Sequence, residues 1–250
     1  MSSPELTVEV RDGLDEHRAR WDELAATQPL PSPFLRSWWL EHTAAGDPRF
    51  VLCYDRGDLV GGAAFELERR GVGPLALERV RCIGQGPLAP DHLDLIATPD
   101  HHLAVARAVL GWLRRPGQRV VDLDGLAAEG TLARVLAPHE IERVAAPFAE
   151  FGSDADAYMA SRPGALRSTI TRAAKRFDRA GVTFETVGPD RAEAALDQLA
   201  ELHDGRWGDD SMFLDRWEQL RRAARSGMST GDVQLAELRD DQGEVIASEL

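Results

Sequence analysis

The sequence predicts a mixed α/β protein of the α+β kind, built as two related domains, each a mixed, mostly antiparallel sheet flanked by helices. Three observations predict it. Segments with period-2 alternation interchange with segments of 3.6-residue periodicity along the chain. The order strand, helix, helix, strand, hairpin turn, strand occurs twice. Two short stretches also recur at matching points of the two series. Phe34-Leu35-Arg36-Ser37-Trp38 matches Phe213-Leu214-Asp215-Arg216-Trp217, and Asp55-Arg56-Gly57-Asp58-Leu59-Val60-Gly61 matches Asp241-Gln242-Gly243-Glu244-Val245-Ile246-Ala247. Repeated order with repeated local sequence is the mark of a tandem duplication. The other reading is that amphipathic helices and hairpins resemble one another in any protein.

Each element has its own signal. Residues 6–11 alternate as a strand, and residues 14–28 put Leu14, Trp21, Leu24 and Ala25 on one helical face. Ser32-Pro33 reads as an N-cap followed by proline at the first helical position, opening a helix through Trp38, Trp39 and His42. Residues 50–54 and 59–67 flank Asp55-Arg56-Gly57-Asp58 and read as a hairpin. Strands follow at 75–83 and 93–97. A helix over 100–114, with Asp100 as its N-cap, ends at Arg115-Pro116-Gly117. Then come a strand at 119–123, a helix at 129–136 and a strand at 141–146. After Pro147 the series restarts with helices at 154–160 and 165–180, the second stopped by Gly181. A strand at 182–187, helices at 191–206 and 212–225, and a hairpin of 233–238 with 244–250 complete it. The domains divide as 1–150 and 151–250. The first copy continues past its hairpin with strands and helices that the second lacks, so the second domain is expected to be incomplete within these residues. A hairpin alone is marginal, and an apolar last strand leaves an open edge.

Composition narrows the function. Net charge is −13, from 42 acidic and 29 basic side chains. That field opposes general nucleic-acid binding, which draws most of its affinity from phosphate contacts, so no DNA partner is expected. No run reaches the ~18 apolar residues of a membrane span. The N-terminus shows no basic region followed by an apolar export signal. Cys53 and Cys82 have neither metal-ligand nor redox spacing, which fits a cytoplasmic location. Lys175 is the one lysine among the basic residues, so an arginine carries less functional weight here than usual.

The order β-α-α-β-β-β-α-β-α-β over residues 6–146 resembles the GNAT acyltransferase fold. Its repetition resembles the tandem-GNAT group, which comprises Fem-type aminoacyltransferases and CelD-like bacterial acyltransferases. The resemblance is carried by Trp21-Asp22-Glu23-Leu24, by Pro33-Phe34 with Trp38-Trp39, and by Asp94-Leu95-Ile96 after a glycine-containing loop. In the second half it is carried by the Arg-rich helix at 167–181 and by Leu202-His203-Asp204-Gly205-Arg206-Trp207. It implies acyl-CoA, such as acetyl-CoA, as co-substrate, with no metal. It also implies that the second domain holds the donor, with the pyrophosphate at a helix start after the fourth strand. Backbone amides and the helix dipole meet phosphate there. In the second domain that segment would lie past Leu250.

Individual motifs carry further expectations. Arg81, Gly84 and Gly86 fit a pyrophosphate-loop pattern, but Pro87, Pro90 and a strand follow where the mechanism needs a helix, so a plain loop is the other reading. In the helix at 165–180, Leu166, Ile170, Ala173, Ala174 and Phe177 form an apolar face opposite Arg172, Lys175, Arg176 and Arg179. Six basic residues and one acid, Asp178, lie between Arg162 and Arg179. Such a face could hold an anionic acceptor through Arg172, Lys175 and Arg176; the alternative is a solvated face paired with Asp154, Asp156 and Glu185. His203, Arg206 and Trp207 end a helix and are either substrate contacts or a dipole-favoured cap. Asp91, His92, Asp94, Asp100, His101 and His102 lack metal-ligand spacing, so no metal is expected. There is no Gly-x-Ser-x-Gly and no Cys–His pairing, and GNAT chemistry needs no enzyme nucleophile. Any carboxylate or histidine in the cleft could accept the proton; Glu249 is a formal candidate, and no catalytic residue is assigned.

The expected function is acyl transfer from acyl-CoA to an amine or hydroxyl of a small molecule or cell-envelope precursor. The alternatives are a non-catalytic GNAT-fold binding module and a Fem-type transferase using aminoacyl-tRNA, which the net charge opposes.

Overall fold

The computed structural model describes residues 5–73, 76–145 and 154–250. The domain division expected at 150, Pro147 and the first residue of the strand expected at 75–83 lie outside the described residues. Two compact units form. One takes the described residues up to His139 together with Trp207–Val233; the other takes those of Glu140–Arg206 together with Gln234–Leu250.

The first unit runs β1 (Thr7–Arg11), α1 (Arg18–Ala26), α2 (Ser37–Thr43), β2 (Asp47–Asp55), β3 (Asp58–Arg70), β4 (Leu77–Cys82), β5 (Ile96–Ala97), α3 (His102–Leu113), β6 (Arg119–Val121) and α4 (Thr131–Leu136). The sheet order is β1-β2-β3-β4-β6, antiparallel except for the β4–β6 pair. Alternation along β2 explains why the strand is apolar on both faces. Phe50 and Leu52 join Trp21 and Leu24 of α1 and Trp38 and Trp39 of α2 in one core. Val51 and Cys53 join Val105, Val109 and Trp112 of α3 and Leu132 of α4 in the other. Ser32 caps a single 3-10 turn, Pro33–Leu35, accepting a hydrogen bond from the Phe34 amide at 3.3 Å; α2 starts only after Arg36.

β3 pairs with β4 over Phe65 to Arg70, and again with β5 at Gly61 and Gly62. Thus β4 and β5 are one strand line along β3, interrupted by an excursion over 83–95. The line can close on β3 because Gly61 brings no side chain: a Cβ there would stand 2.5 Å from the Ile96 carbonyl oxygen. Gly62 serves the other neighbour, since a Cβ on it would lie 2.4 Å from the carbonyl oxygen of Val51 on β2.

The second unit contains α5 (Ala155–Ser161), α6 (Gly164–Arg179), β7 (Thr183–Thr186), α7 (Ala192–Trp207) except its last residue, β8 (Ala236–Arg239) and β9 (Val245–Glu249). Its sheet order is β7-β8-β9, antiparallel throughout. The remaining helix, α8 (Trp217–Thr230), belongs to the first unit and packs on α2. Leu220 and Ala223 enter the core around Trp38 and Trp39. Gly227 permits the approach, since a Cβ there would lie 2.4 Å from Val233 and 3.0 Å from Trp38.

The registers of the two sheets correspond. In one, Thr7 pairs with Tyr54, Tyr54 with Leu59, and Cys53 with Gly61 across a bulge. In the other, Thr183 pairs with Arg239, Arg239 with Val245, and Leu238 with Ala247, again across a bulge. The register therefore aligns Thr7-Val8-Glu9 with Thr183-Phe184-Glu185. A 3-10 turn precedes both α2 and α8, at Pro33–Leu35 and Leu214–Arg216. Among the described residues 154–250, no counterparts of β4, α3 and β6 follow β9.

Three local expectations are corrected. Residues 141–145 form no strand; Ile141 and Val144 are three residues apart, so no single sheet face could bury both, and both are exposed. Asp100 does not cap α3. The residue before its first turn is His101, without a side-chain cap, and the Thr98 hydroxyl bonds His101 Nδ1 at 2.7 Å. The helix expected at 212–225 lies at Trp217–Thr230.

Candidate functional site

In the first unit, the loop carrying Arg81, Gly84 and Gly86 is used internally. Gly84 (φ +80°) and Gly86 (φ +107°) turn the chain where a β-carbon would be strained. A Cβ on Gly84 would lie 3.1 Å from Trp39 Nε1. Arg81 donates to the Gln85 carbonyl at 2.9 Å and faces the Glu66 carboxylate at 3.7 Å. Gln85 is buried, and its side-chain oxygen accepts from the Cys82 amide at 3.1 Å and the Asp124 amide at 3.2 Å. This stitches the end of β4 to the residues after β6. Arg81 Nη2 and the Gln85 side chain are thus engaged with the protein itself. The true helix start on the β4–β5 line is Thr98-Pro99-Asp100-His101. Pro99 there has no N–H and Asp100 opposes an anion, so the first unit does not fit a pyrophosphate cradle.

An open cleft of ≈ 400 Å³ lies beside that helix start, lined by His17, Arg20, Tyr54, Asp58, Thr98 and His101 with backbone of the β2–β3 turn. His17 Nε2 and the Tyr54 hydroxyl are 3.1 Å apart, and His101 Nε2 lies 3.5 Å from Asp55. Arg20 donates to the Leu59 carbonyl at 3.3 Å and pairs with Glu23 at 3.0 Å. Each of these basic side chains thus has a nearby acceptor or acid. Burial, followed by the Glu9 charge, holds the Tyr54 hydroxyl above its ordinary range, so it is a donor at neutral pH. Sequence reasoning missed this cleft because its residues come from three separated segments; the turn signal at Asp55-Arg56-Gly57-Asp58 was its one visible trace.

Neither cysteine is a nucleophile. Both are free and buried, and burial pushes both thiols up to about 12. The unfolded thiols ionise near 9, so their contribution holds at neutral pH and declines as pH rises from there towards 12. No group of three or more metal-ligating side chains occurs among the described residues.

In the second unit, Arg172, Lys175 and Arg176 lie on α6, where no residue is buried. Arg172 Nε donates to the Ser168 carbonyl one turn back at 3.3 Å. The pairing alternative is not realised, because the acids engage other groups. Asp154 caps α5 through the Asp156 and Ala157 amides, and Glu185 pairs with Arg191 at 2.6 Å and with Arg239 at 3.3 Å. His203, Arg206 and Trp207 occupy the last turn of α7 at i, i+3 and i+4, and none of them lacks a partner. The sequence-derived candidates therefore form two groups on two helices. Glu249 shares a sheet face with Thr186 and Ala236. On the opposite face Glu237 is buried between Arg239 and Arg191, beside Ser248.

Comparison with known proteins gives a class for part of the chain. Residues 164–250 match the family model of the acetyltransferase (GNAT) domain, so α6 to β9 form a GNAT-type domain segment. The chain as a whole is similar in fold to a solved structure, a conserved protein of unknown function from Bacteroides thetaiotaomicron VPI-5482. Identity is 12%, the TM-score is 0.55, and the match covers 97% of this chain and 74% of that one. No curated protein matches the chain.

Proposed function

We propose that this is a tandem-GNAT acyltransferase in which the copies occupy residues 1–150 and 151–250, the second being incomplete within these residues. In its complete form it moves an acyl group from acyl-CoA to an amine or hydroxyl acceptor in the cytoplasm. The observation that carries the reading is the GNAT match over 164–250, in a segment whose β7-β8-β9 register repeats that of β1-β2-β3.

The chain's own residues would act on the acceptor. Arg172, Lys175 and Arg176 would hold an anionic group, with His203, Arg206 and Trp207 as further contacts. Arg81, Gly84 and Gly86 are not proposed as a donor cradle, and no donor step is derived from these residues. One observation favours a second reading, a non-catalytic GNAT-fold binding module: the first unit's loop is closed by Gln85.

Thermal unfolding of the protein isolated from its source cells tests both. Stabilisation that grows with acetyl-CoA concentration is expected for the enzyme, by about 2.7 kcal/mol at a hundredfold excess over Kd. An unchanged unfolding temperature at every concentration selects the binding module. In the enzyme, Arg176→Ala is expected to weaken acceptor binding by about tenfold with the unfolding temperature unchanged, since the side chain is exposed. Unaltered acceptor affinity would remove the substrate role of α6.

A further inference from the structure

Three side chains at the cleft of the first unit stand in a row. The Thr98 hydroxyl meets His101 Nδ1 at 2.7 Å, its one hydrogen bond among the described residues. On the other side of the ring, His101 Nε2 lies 3.5 Å from Asp55 Oδ2. The carboxylate draws the ring proton to Nε2, which leaves Nδ1 as a base facing the hydroxyl. Thr98 and His101 line the cleft and Asp55 does not, so the hydroxyl and the base are presented while the acid stands behind them. The hydroxyl is held in place by its own backbone. The Thr98 amide donates to the Val60 carbonyl of β3 at 2.9 Å, and Pro99 follows with its φ locked. Asp55 is fixed in turn at the end of β2, opposite Asp58.

A hydroxyl bonded to an imidazole whose other nitrogen faces a carboxylate is the arrangement that activates an alcohol for attack on a carbonyl. We propose that Thr98, His101 and Asp55 are such a triad, by which the first unit hydrolyses a small activated acyl group, an ester or a thioester. Thr98 Oγ1 attacks the carbonyl carbon as His101 Nδ1 takes the hydroxyl proton. The bond to the alkoxide or thiolate then breaks, and His101 returns the proton to that leaving group. Water enters in its place. His101 takes one of its protons, its oxygen attacks the acyl carbon, the bond from that carbon to Oγ1 breaks, and Thr98 recovers the proton. The sum is ester or thioester and water going to acid and alcohol or thiol, with no other reactant. Tyr54, a donor at neutral pH, and Arg20 line the same cleft and can meet the charge that develops on the carbonyl oxygen. A space of ≈ 400 Å³ suits a small molecule. The cleft lies within the first unit and outside residues 164–250, so this activity stands apart from acyl transfer by the GNAT-type segment.

Hydrolysis of p-nitrophenyl acetate and of phenyl thioacetate by the 250-residue chain tests the proposal. Turnover of at least one is expected, and the faster of the two identifies the leaving atom as oxygen or sulfur. Turnover of neither overturns it. Thr98→Val, close in shape but without the hydroxyl, is expected to lower kcat by about a hundredfold. His101→Gln, whose amide can still bond Thr98, should lose as much and keeps the test decisive if Thr98→Val fails to fold. Asp55 acts through the ring and is a positioning residue. Asp55→Asn should therefore lower kcat by about tenfold with KM unchanged, and Asp55→Glu should recover part of the loss. Rates that Thr98→Val and His101→Gln leave unchanged overturn the proposal, because cleavage would then come from exposed amines or imidazoles elsewhere on the chain. A kcat that Asp55→Asn leaves unchanged overturns the triad as well.

Discussion

Replacing Trp21 by alanine is expected to destabilise the first unit by about 3–5 kcal/mol. Trp21 is buried, stands edge-on to Phe50 at 5.8 Å and donates from Nε1 to the Leu35 carbonyl at 2.8 Å. Truncation therefore opens a cavity between α1 and β2. It also frees the carbonyl of the 3-10 turn that leads into α2, leaving an acceptor unsatisfied. Calorimetry should show that unit's transition lowered by roughly 10 °C. A shift of less than about 2 °C would mean that the α1 face is not part of a packed core.

Glu66→Ala is expected to cost a similar amount, about 3–5 kcal/mol, for an electrostatic reason. The Glu66 side chain is 1% exposed and accepts from the amides of Ala45 at 2.6 Å and Gly46 at 3.3 Å. Its other oxygen lies 3.7 Å from Arg81, whose side chain is 16% exposed. Removing the carboxylate strands a largely buried cation and two amides. Because Arg81 also holds the Gln85 carbonyl, amide exchange should accelerate around Cys82 and Gln85. The pair can be told apart from its neighbours by a double-mutant cycle. Glu66→Ala combined with Arg81→Ala should be less destabilised than the sum of the two single variants. Additive losses would show that Glu66 acts only through the Ala45–Gly46 turn.

Much of the architecture was legible because its signals are local. The periodicity of Leu14, Trp21 and Leu24 placed a buried helical face, and Asp55-Arg56-Gly57-Asp58 marked the β2–β3 hairpin, with Arg56 and Gly57 at positive φ. The similar segments around Phe34 and Phe213 both fell on 3-10 turns. The Thr7-Val8-Glu9 and Thr183-Phe184-Glu185 match was equally present in the letters, but three residues mean nothing until pairing supplies the register. The strand expected at 141–146 failed for the converse reason. Apolar residues suggest a strand, and only a neighbouring strand can satisfy its backbone.

The candidate sites divide in the same way. The amphipathic basic character of α6 follows from i, i+4, i+7 spacing, so the sequence by itself determined which side chains share a face. It also determined most of the element order and the hairpins, since each depends on near neighbours in the chain. Only the tertiary structure decided that β4 and β5 are one interrupted line and that Gln85 closes the loop between Arg81 and Gly86. The tertiary structure also assigned α8 to the unit of α2, and it brought His17, Tyr54 and His101 around one cleft. Those facts depend on contacts between residues far apart in the chain, and such contacts are set by which surfaces can pack and pair once the whole chain competes for them.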